Sequence, residues 1–454
     1  MKNKLFPFKK SDILIVAVSL LMMIVVLNLP FKAKPFGDIT FHEEAKNLAL
    51  YIKGAVDYDQ VTITKAPGPV FFYTPAYLLA SSTATDNQLW VYGVVFTFII
   101  ITISMLMIFR IGSNLFSKEV GLFSVLLFFI FPIHCYYSLG ILAEVPAFFS
   151  LTVALFGWSI LLKTPSKFKG WLFLILGVWF LILNRPNAIL ILPIGFLVVI
   201  YSFFKNKDFF KTFAKKLLIS FFCIGVMGFL TLKLAKAISS SKTSSDQVGL
   251  LYYVAFQGRF QFREEPFDFR FWDDTVRPDS KDYQNWKSAG AILSAKTENE
   301  NLTSSQVYKD FLIDDTIEHP FWFTRQFFVK SLYGHIYVIN SVKPETFKIG
   351  PIKGAAFYWM FIALINSVNI LIIIGAFVFI RKQRNLINYW PFWSIIIALL
   401  LFHGLTYMEP RYMFPARVAL YIMSAAGLYQ IKWFQKKVNF IAKFALNSRR
   451  QIKF

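Results

Sequence analysis

Cysteine is nearly absent from this 454-residue chain, and its two cysteines, Cys135 and Cys223, fall in or at the edge of apolar stretches. A pair so placed supports neither a disulfide framework nor a thiolate metal site, and such thiols ordinarily behave as small core residues. Acidic residues are scarce too, 26 against 48 Lys plus Arg, for a formal net charge of +22. There is no internal repeat, P-loop, GxGxxG fingerprint or HExxH motif, so nucleotide binding and zinc-protease chemistry have no basis in the sequence.

What the chain has in excess is apolar surface. It is 56% hydrophobic, with 53 Phe and a mean hydropathy of +0.52, more than a soluble core can hide. The expected class is an all-α polytopic membrane protein. The basic start "MKNKLFPFKK" leads into "SDILIVAVSLLMMIVVLNLP", about long enough to cross the hydrocarbon core. "FKAKPFGD" follows with no small-residue cleavage site, which predicts an uncleaved first helix with its N-terminus inside. Hydropathy places further spans near 89–109, 120–139, 145–162, 170–183, 188–204, 217–238, 355–380, 389–407 and 412–431, about ten in all. The expected organisation has three parts. Residues 1–238 form an N-terminal transmembrane region with a first outer loop at 31–88. Residues 239–354 form a large outer loop of mixed or unknown structure, begun by "SSSKTSSDQ". Residues 355–454 form a C-terminal transmembrane region with a basic tail.

The charges test this topology. The segments expected inside, "KNKLFPFKK", "RIGSNLFSKE", "KTPSKFKG", "KNKDFFKTFAKK", "RKQRN" and the tail from "KWFQKK", are dominated by Lys and Arg, while nearly all acids fall outside. This positive-inside pattern accounts for the basic excess without a nucleic-acid partner. It puts both termini in the cytoplasm of a cell membrane, and the compactness of the chain points to a bacterial plasma membrane. Asn301-Leu302-Thr303 fits a glycosylation sequon, a triplet that also arises by chance.

Chemistry-bearing residues gather at the expected outer ends of spans. "GDITFHEEAKNLALYIKG" has helical spacing, with Asp38 at its start and Glu43 and Glu44 within it. Asp38 is either a helix cap or a functional carboxylate. "ITKAPGPVFF" sets Lys65 beside a rigid Pro-Gly-Pro corner, suited to receive a lipid phosphate or simply to snorkel at the interface. "GILAEVPAF" puts Glu144 at one span junction, "LNRPNA" puts Arg185 at another, and "YMEPRYMFPAR" puts Glu409, Arg411 and Arg417 at the last outer turn. Each outward arginine alone is an ordinary headgroup-facing charge. His335 reads as a structural hydrogen-bonding residue rather than an acid or base.

An acidic first outer loop, K-x-P-x-P, an acid close before Pro at the third-to-fourth span junction and a late RY-x-x-P resemble the GT-C superfamily of membrane glycosyltransferases. The closest branch is the family 39-like one of the protein O-mannosyltransferases and the lipid A aminoarabinose transferase. The resemblance implies a GT-C-like bundle with juxtamembrane outer helices. It implies that Asp38 is the catalytic base, with Glu43 and Glu44 able to share the role because Ile39 stands where the family has Glu. His42 replaces the usual aromatic four residues on. Lys65 is implied as the ligand of the donor phosphate, and Arg411 and Tyr412 match the late motif. The cations available to meet the departing phosphate are Lys65 and Arg411, with Arg185 a third candidate, and His42, Tyr412 and Glu409 are the further substrate-binding candidates. Glu144 matches an Asp-Pro pair with one residue inserted.

The implied reaction moves a single sugar from a polyprenyl-phosphate donor to a hydroxyl on a protein, lipid A or envelope glycan, with inversion, at the outer face of the membrane. A carboxylate accepts the hydroxyl proton, and fixed cations stabilise the departing phosphate. The scheme requires no metal. Some GT-C enzymes hold a divalent cation with acids, and on that reading Asp38 and Glu144 are ligands, without a close ligand spacing to support it. The competing readings are a flippase or transporter of lipid-linked saccharide and a glycan ligase or polymerase. Transporters tend to carry charge at mid-span, whereas the charges here crowd the span ends, with His403 the main exception.

Overall fold

The computed structural model describes residues 10–28, 38–64, 66–130, 140–239, 247–264, 280–300, 302–335, 348–349, 352–408 and 410–447. In chain order the helices are α1 (Lys10–Asn28), α2 (Ile39–Ile52), α3 (Pro67–Leu78), α4 (Asp86–Leu115), α5 (Lys118–Ile130), α6 (Glu144–Lys163), α7 (Phe168–Asn184), α8 (Ile191–Lys205) and α9 (Lys207–Ile238). There follow α10 (Gln247–Phe260), α11 (Lys281–Asn299), α12 (Ser304–Glu318), α13 (Pro320–Tyr333), α14 (Ala355–Lys382), α15 (Trp390–Leu405), α16 (Arg417–Tyr429) and α17 (Lys432–Asn447). The described extended structure includes a two-residue antiparallel ladder, Lys348 opposite Lys353 and Ile349 opposite Ile352. The fold is therefore all-α, and the described part of the large segment after α9 is built mainly from helices.

Among the described residues six helices are long and apolar enough to cross a membrane: α4, α6, α9, α14, and α8 and α15 with the 3-10 turns that precede them. Ser11–Ile24 and α7 are apolar but shorter. Of the expected span 120–139, α5 supplies residues to Ile130 and the rest lies outside the described residues. The expected span 412–431 needs correction. Pro410 and Pro415 keep the chain in turns until Arg417, because the residue before a proline is pushed out of helical backbone. The α16 that remains has 13 residues, about 20 Å, too short to cross alone. Its residues Arg417 to Leu428 are all buried, so protein rather than lipid surrounds it.

Lipid contact is carried elsewhere. Helix α9 exposes Phe222 (73%), Phe229, Leu230, Leu232 and Leu234, apolar side chains that water would oppose and acyl chains accept. The chain is a multi-pass membrane protein.

The backbone contacts divide the chain into two compact units. The first comprises Met1–Ser241, Ile370–Ile395 and Phe414–Phe454. In it α1 and α4 run antiparallel, since Asp12 at the start of α1 accepts a 2.6 Å hydrogen bond from Arg110 near the end of α4. Helices α2 and α3 share a buried core that includes Phe41, Ala45, Leu48, Val70, Phe72, Tyr73 and Tyr77. The apolar positions of α2 recur at 41, 45, 48 and 49, one face of a helix, and Gly54 (φ +70) follows its end. Helix α3 starts on Pro67, whose missing N–H costs nothing at a first helical position.

Gly68 fixes where α3 docks. A Cβ there would lie 2.5 Å from the carbonyl carbon of Leu183 and 2.6 Å from the amide nitrogen of Asn184, so only glycine lets the two backbones meet. Gly68→Ala is expected to destabilise the protein by about 1–3 kcal/mol, read as a lowered Tm. Gly228→Ala in α9, with nothing within 4 Å of the added carbon, is the control and is expected to leave Tm unchanged or slightly raised.

The second unit comprises Lys242–Asn369 and Ile396–Met413. Phe256, Phe260, Tyr283, Leu293 and Val307, from α10, α11 and α12, form its small core. Beside that core runs a buried polar network. Arg259 donates to Asp315 and to Gln326, and Arg263 donates to Asp315 at 3.1 Å. Gln326 returns hydrogen bonds to the carbonyls of Arg259 (2.7 Å) and Gln261 (3.1 Å). These pairings satisfy charges that would otherwise be costly to bury.

Candidate active site

The first unit carries Asp38, the acids of α2, Glu144 and Arg185. Asp38 is the N-cap of α2: its backbone is extended (φ −81, ψ 107) and its carboxylate accepts from the Thr40 N–H at 3.0 Å. Its own N–H donates to the Ile141 carbonyl at 3.2 Å. Ile141 lies three residues before Glu144, and three residues of chain span at most about 11 Å, so the two acids rise from neighbouring backbone. The same connection is held by α3, where the Tyr73 hydroxyl donates to the Leu142 carbonyl (2.9 Å) and accepts from its N–H (3.1 Å). Burial raises the Tyr73 pKa, so the phenol remains a donor.

Glu144 opens α6 and is 2% exposed. It accepts a short charge-assisted hydrogen bond from Arg185, which follows the last residue of α7. Two charged residues chosen from separate span junctions are thus an ion pair. The Pro67-Gly68-Pro69 corner lies against Leu183 and Asn184, immediately before Arg185. Lys65, two residues before that corner, lies outside the described residues.

The three polar residues 42–44 of α2 have different surroundings. His42 is buried, with Nδ1 2.9 Å from the Tyr77 hydroxyl. Burial lowers the imidazole pKa against the opposing charges of Glu43 and Asp86, so the ring is neutral near pH 7. Glu44 is also buried and accepts from both the N–H (2.8 Å) and the hydroxyl (2.5 Å) of Thr64. It therefore fastens the residue that precedes Lys65. Glu43 is partly exposed and pairs with Lys46 at 3.1 Å, and Lys46 pairs with Asp86 at 2.9 Å. Burial alone would lower the Lys46 pKa, but its hydrogen bonds to Asp86 and Glu43 outweigh that and raise it.

His42, Glu43 and Asp86 present ligand atoms within 4.8 Å of one another, a nitrogen-and-carboxylate set of the kind a divalent ion accepts. Lys46 already supplies the cation between the two carboxylates, so a metal would fit only after its ammonium withdrew. The Glu43–Lys46 pair was readable from helical spacing. Asp86 and Thr64 were not, because only the fold brings them to α2.

The second unit carries the late motif. Arg411 and Tyr412 sit on the 3-10 turn Pro410–Met413, with the guanidinium 5.4 Å from the Tyr412 ring centroid. Tyr412 stacks on His403 at 4.6 Å and 26°. Glu409 lies outside the described residues, and Arg417 is buried at the start of α16 in the first unit. His335 is half-buried and its backbone N–H donates to the Leu332 carbonyl at 3.0 Å.

The segment leading into this turn is clamped from outside it, by residues that sequence reading did not single out. Gln261 donates to the Met408 carbonyl at 2.7 Å and accepts from the Met408 N–H at 2.9 Å. The fully buried Lys330 donates to the Thr406 carbonyl at 2.6 Å, and burial, reinforced by the charge of Arg259, holds its pKa well below the ordinary lysine value. Gln261→Leu is expected to release Met408, raising its amide hydrogen-exchange rate about tenfold or more, while exchange in α2 and α6 is unchanged.

No family model matches the chain, and no curated protein matches it. Solved structures do. The Archaeoglobus fulgidus oligosaccharyltransferase AglB, in complex with an inhibitory peptide and a dolichol-phosphate, matches with 13% identity and a TM-score of 0.49 over 97% of this chain and 52% of its own. The same enzyme's complex with Zn and sulfate matches at 14% and 0.48, covering 96% and 51%. ArnT from Cupriavidus metallidurans bound to undecaprenyl phosphate matches at 11% and 0.40, covering 91% and 77%. The chain spans about half the length of the oligosaccharyltransferase. At these identities and scores no residue role passes from either of them to this chain.

Proposed function

We propose that the protein transfers a single sugar from a polyprenyl-phosphate donor to an acceptor hydroxyl, with inversion, at the outer face of a cell membrane. The observation that carries this reading is the meeting, in one membrane-embedded unit, of the Asp38 cap, the Glu144–Arg185 pair and the corner that follows Lys65. In the reaction the acceptor oxygen bonds to the anomeric carbon as the bond from that carbon to the phosphate oxygen breaks. The hydroxyl proton passes to Asp38, and the polyprenyl phosphate leaves with the bonding electron pair. A carboxylate base is suited to the first task, and Lys65 and Arg185 to binding the phosphate as its charge develops. Glu144 holds the Arg185 guanidinium in place, and Glu44 holds Thr64 next to Lys65.

The test is incubation of the purified protein with a panel of polyprenyl-phosphate sugars and an acceptor extract, read by mass spectrometry. Consumption of one donor, with release of polyprenyl phosphate, supports the reading and identifies the sugar. Consumption of none by folded protein would overturn it and direct attention to transport of lipid-linked saccharide. Lys65→Ala is expected to weaken donor binding about tenfold or more, as loss of a charge-assisted contact implies.

A further inference from the structure

Helix α17 has two unlike surfaces. Val438 and Ala442, each 3% exposed, face into the first unit, where α17 packs against α1, α5 and α16. Trp433 (61%), Phe440 (64%) and Ile441 (44%) are exposed, and with Lys437 they occupy positions i, i+4, i+7 and i+8 along one stripe. Lys437 leans over the Trp433 ring, its ammonium 6.0 Å from the centroid. Lys432, Lys436 and Lys443 are exposed as well. From Lys432 to the final Phe454 the sequence has no acidic residue, and Arg449, Arg450 and Lys453 follow the helix.

We propose that α17 is an interfacial helix that binds the headgroups of anionic phospholipids. Trp433, Phe440 and Ile441 seat at the boundary of headgroups and acyl chains, and the lysines reach the lipid phosphates with their stems laid over apolar surface. Charge selects this occupant. A second copy of the chain would bring the same acid-free stretch to the contact and be repelled, whereas an anionic leaflet attracts each lysine.

The experiment uses full-length protein in detergent titrated with phosphatidylglycerol or phosphatidylcholine, with bound lipids counted by native mass spectrometry. Wild type is expected to prefer phosphatidylglycerol, and the preference to weaken as salt is raised. The triple variant Lys436→Gln, Lys437→Gln, Lys443→Gln is expected to lose affinity for phosphatidylglycerol by about 10²-fold, at about fivefold per lysine, with phosphatidylcholine binding and Tm unchanged. Trp433→Ala with Phe440→Ala is expected to weaken both lipids alike. Equal phosphatidylglycerol affinity in wild type and triple variant would overturn the proposal, as would absence of any preference in wild type. A wild-type dimer that the triple variant fails to form would overturn it in favour of contact between copies.

Discussion

Asp38→Asn is expected to lower sugar transfer about 10²–10⁴-fold, the ordinary contribution of a positioned general base, while Tm and donor binding stay at wild-type values. The separation of the two effects comes from the cap. The Asp38 carboxylate already accepts the Thr40 N–H at 3.0 Å, and an asparagine amide oxygen serves an N-cap about as well. The Ile141 contact uses the backbone N–H of residue 38 only and survives both the asparagine and the alanine substitution. What asparagine lacks is a site for a proton. If Asp38 were a cap and nothing more, the asparagine variant would retain full turnover, and that result would sink the mechanism. Asp38→Ala removes cap and base together, so it should show the same loss of rate plus about 1 kcal/mol of stability. Parallel thermal unfolding and single-donor turnover on the two variants distinguish the roles that the sequence left open.

How far the sequence reached depends on whether a feature is local. Apolar helices and the cap of α2 are local: they follow from apolar runs and from an Asp before a helical period. The same logic failed at 412–431, where hydropathy counted apolar residues that the two prolines keep out of helix and that α16 then buries against protein. The position of Glu144 and Arg185 at span ends was legible, but their pairing was not. It requires α6 and α7 to pack side by side across 41 residues of sequence. Glu44 shows the same limit more sharply. As a string it is one of two adjacent acids open to catalytic assignment. In the fold it is buried on Thr64, and its partly exposed neighbour Glu43 reaches the Lys46–Asp86 pair. Gln261 and Lys330 carried no motif at all, since a neutral amide and a lone lysine become informative only when a carbonyl of the segment 406–408 is found beside them.

Removing one partner of the Glu144–Arg185 pair is expected to cost about 3–5 kcal/mol, the largest single-site loss of stability anticipated for this chain. Both side chains are withdrawn from solvent, at 3% for Glu144 and 14% for Arg185, so water cannot replace the missing partner. Glu144→Leu takes the Glu144 partner away from the guanidinium at the end of α7, and Arg185→Met takes the Arg185 partner away from the carboxylate at the start of α6. The double variant Glu144→Leu, Arg185→Met removes both charges and places apolar side chains of similar size in the space. Its stability is expected to recover to within about 1–2 kcal/mol of wild type, because a buried ion pair and a well-packed apolar pair are close in free energy. Transfer activity should not recover with it. If Arg185 acts on the donor phosphate, a stable protein without that cation remains slow, and the loss falls on turnover and donor affinity rather than on folding. A double variant that regained both stability and activity would assign the pair to architecture alone and leave the phosphate to Lys65. Thermal unfolding and turnover across the four members of this cycle therefore measure two quantities, the coupling of the charges to each other and the coupling of Arg185 to the substrate.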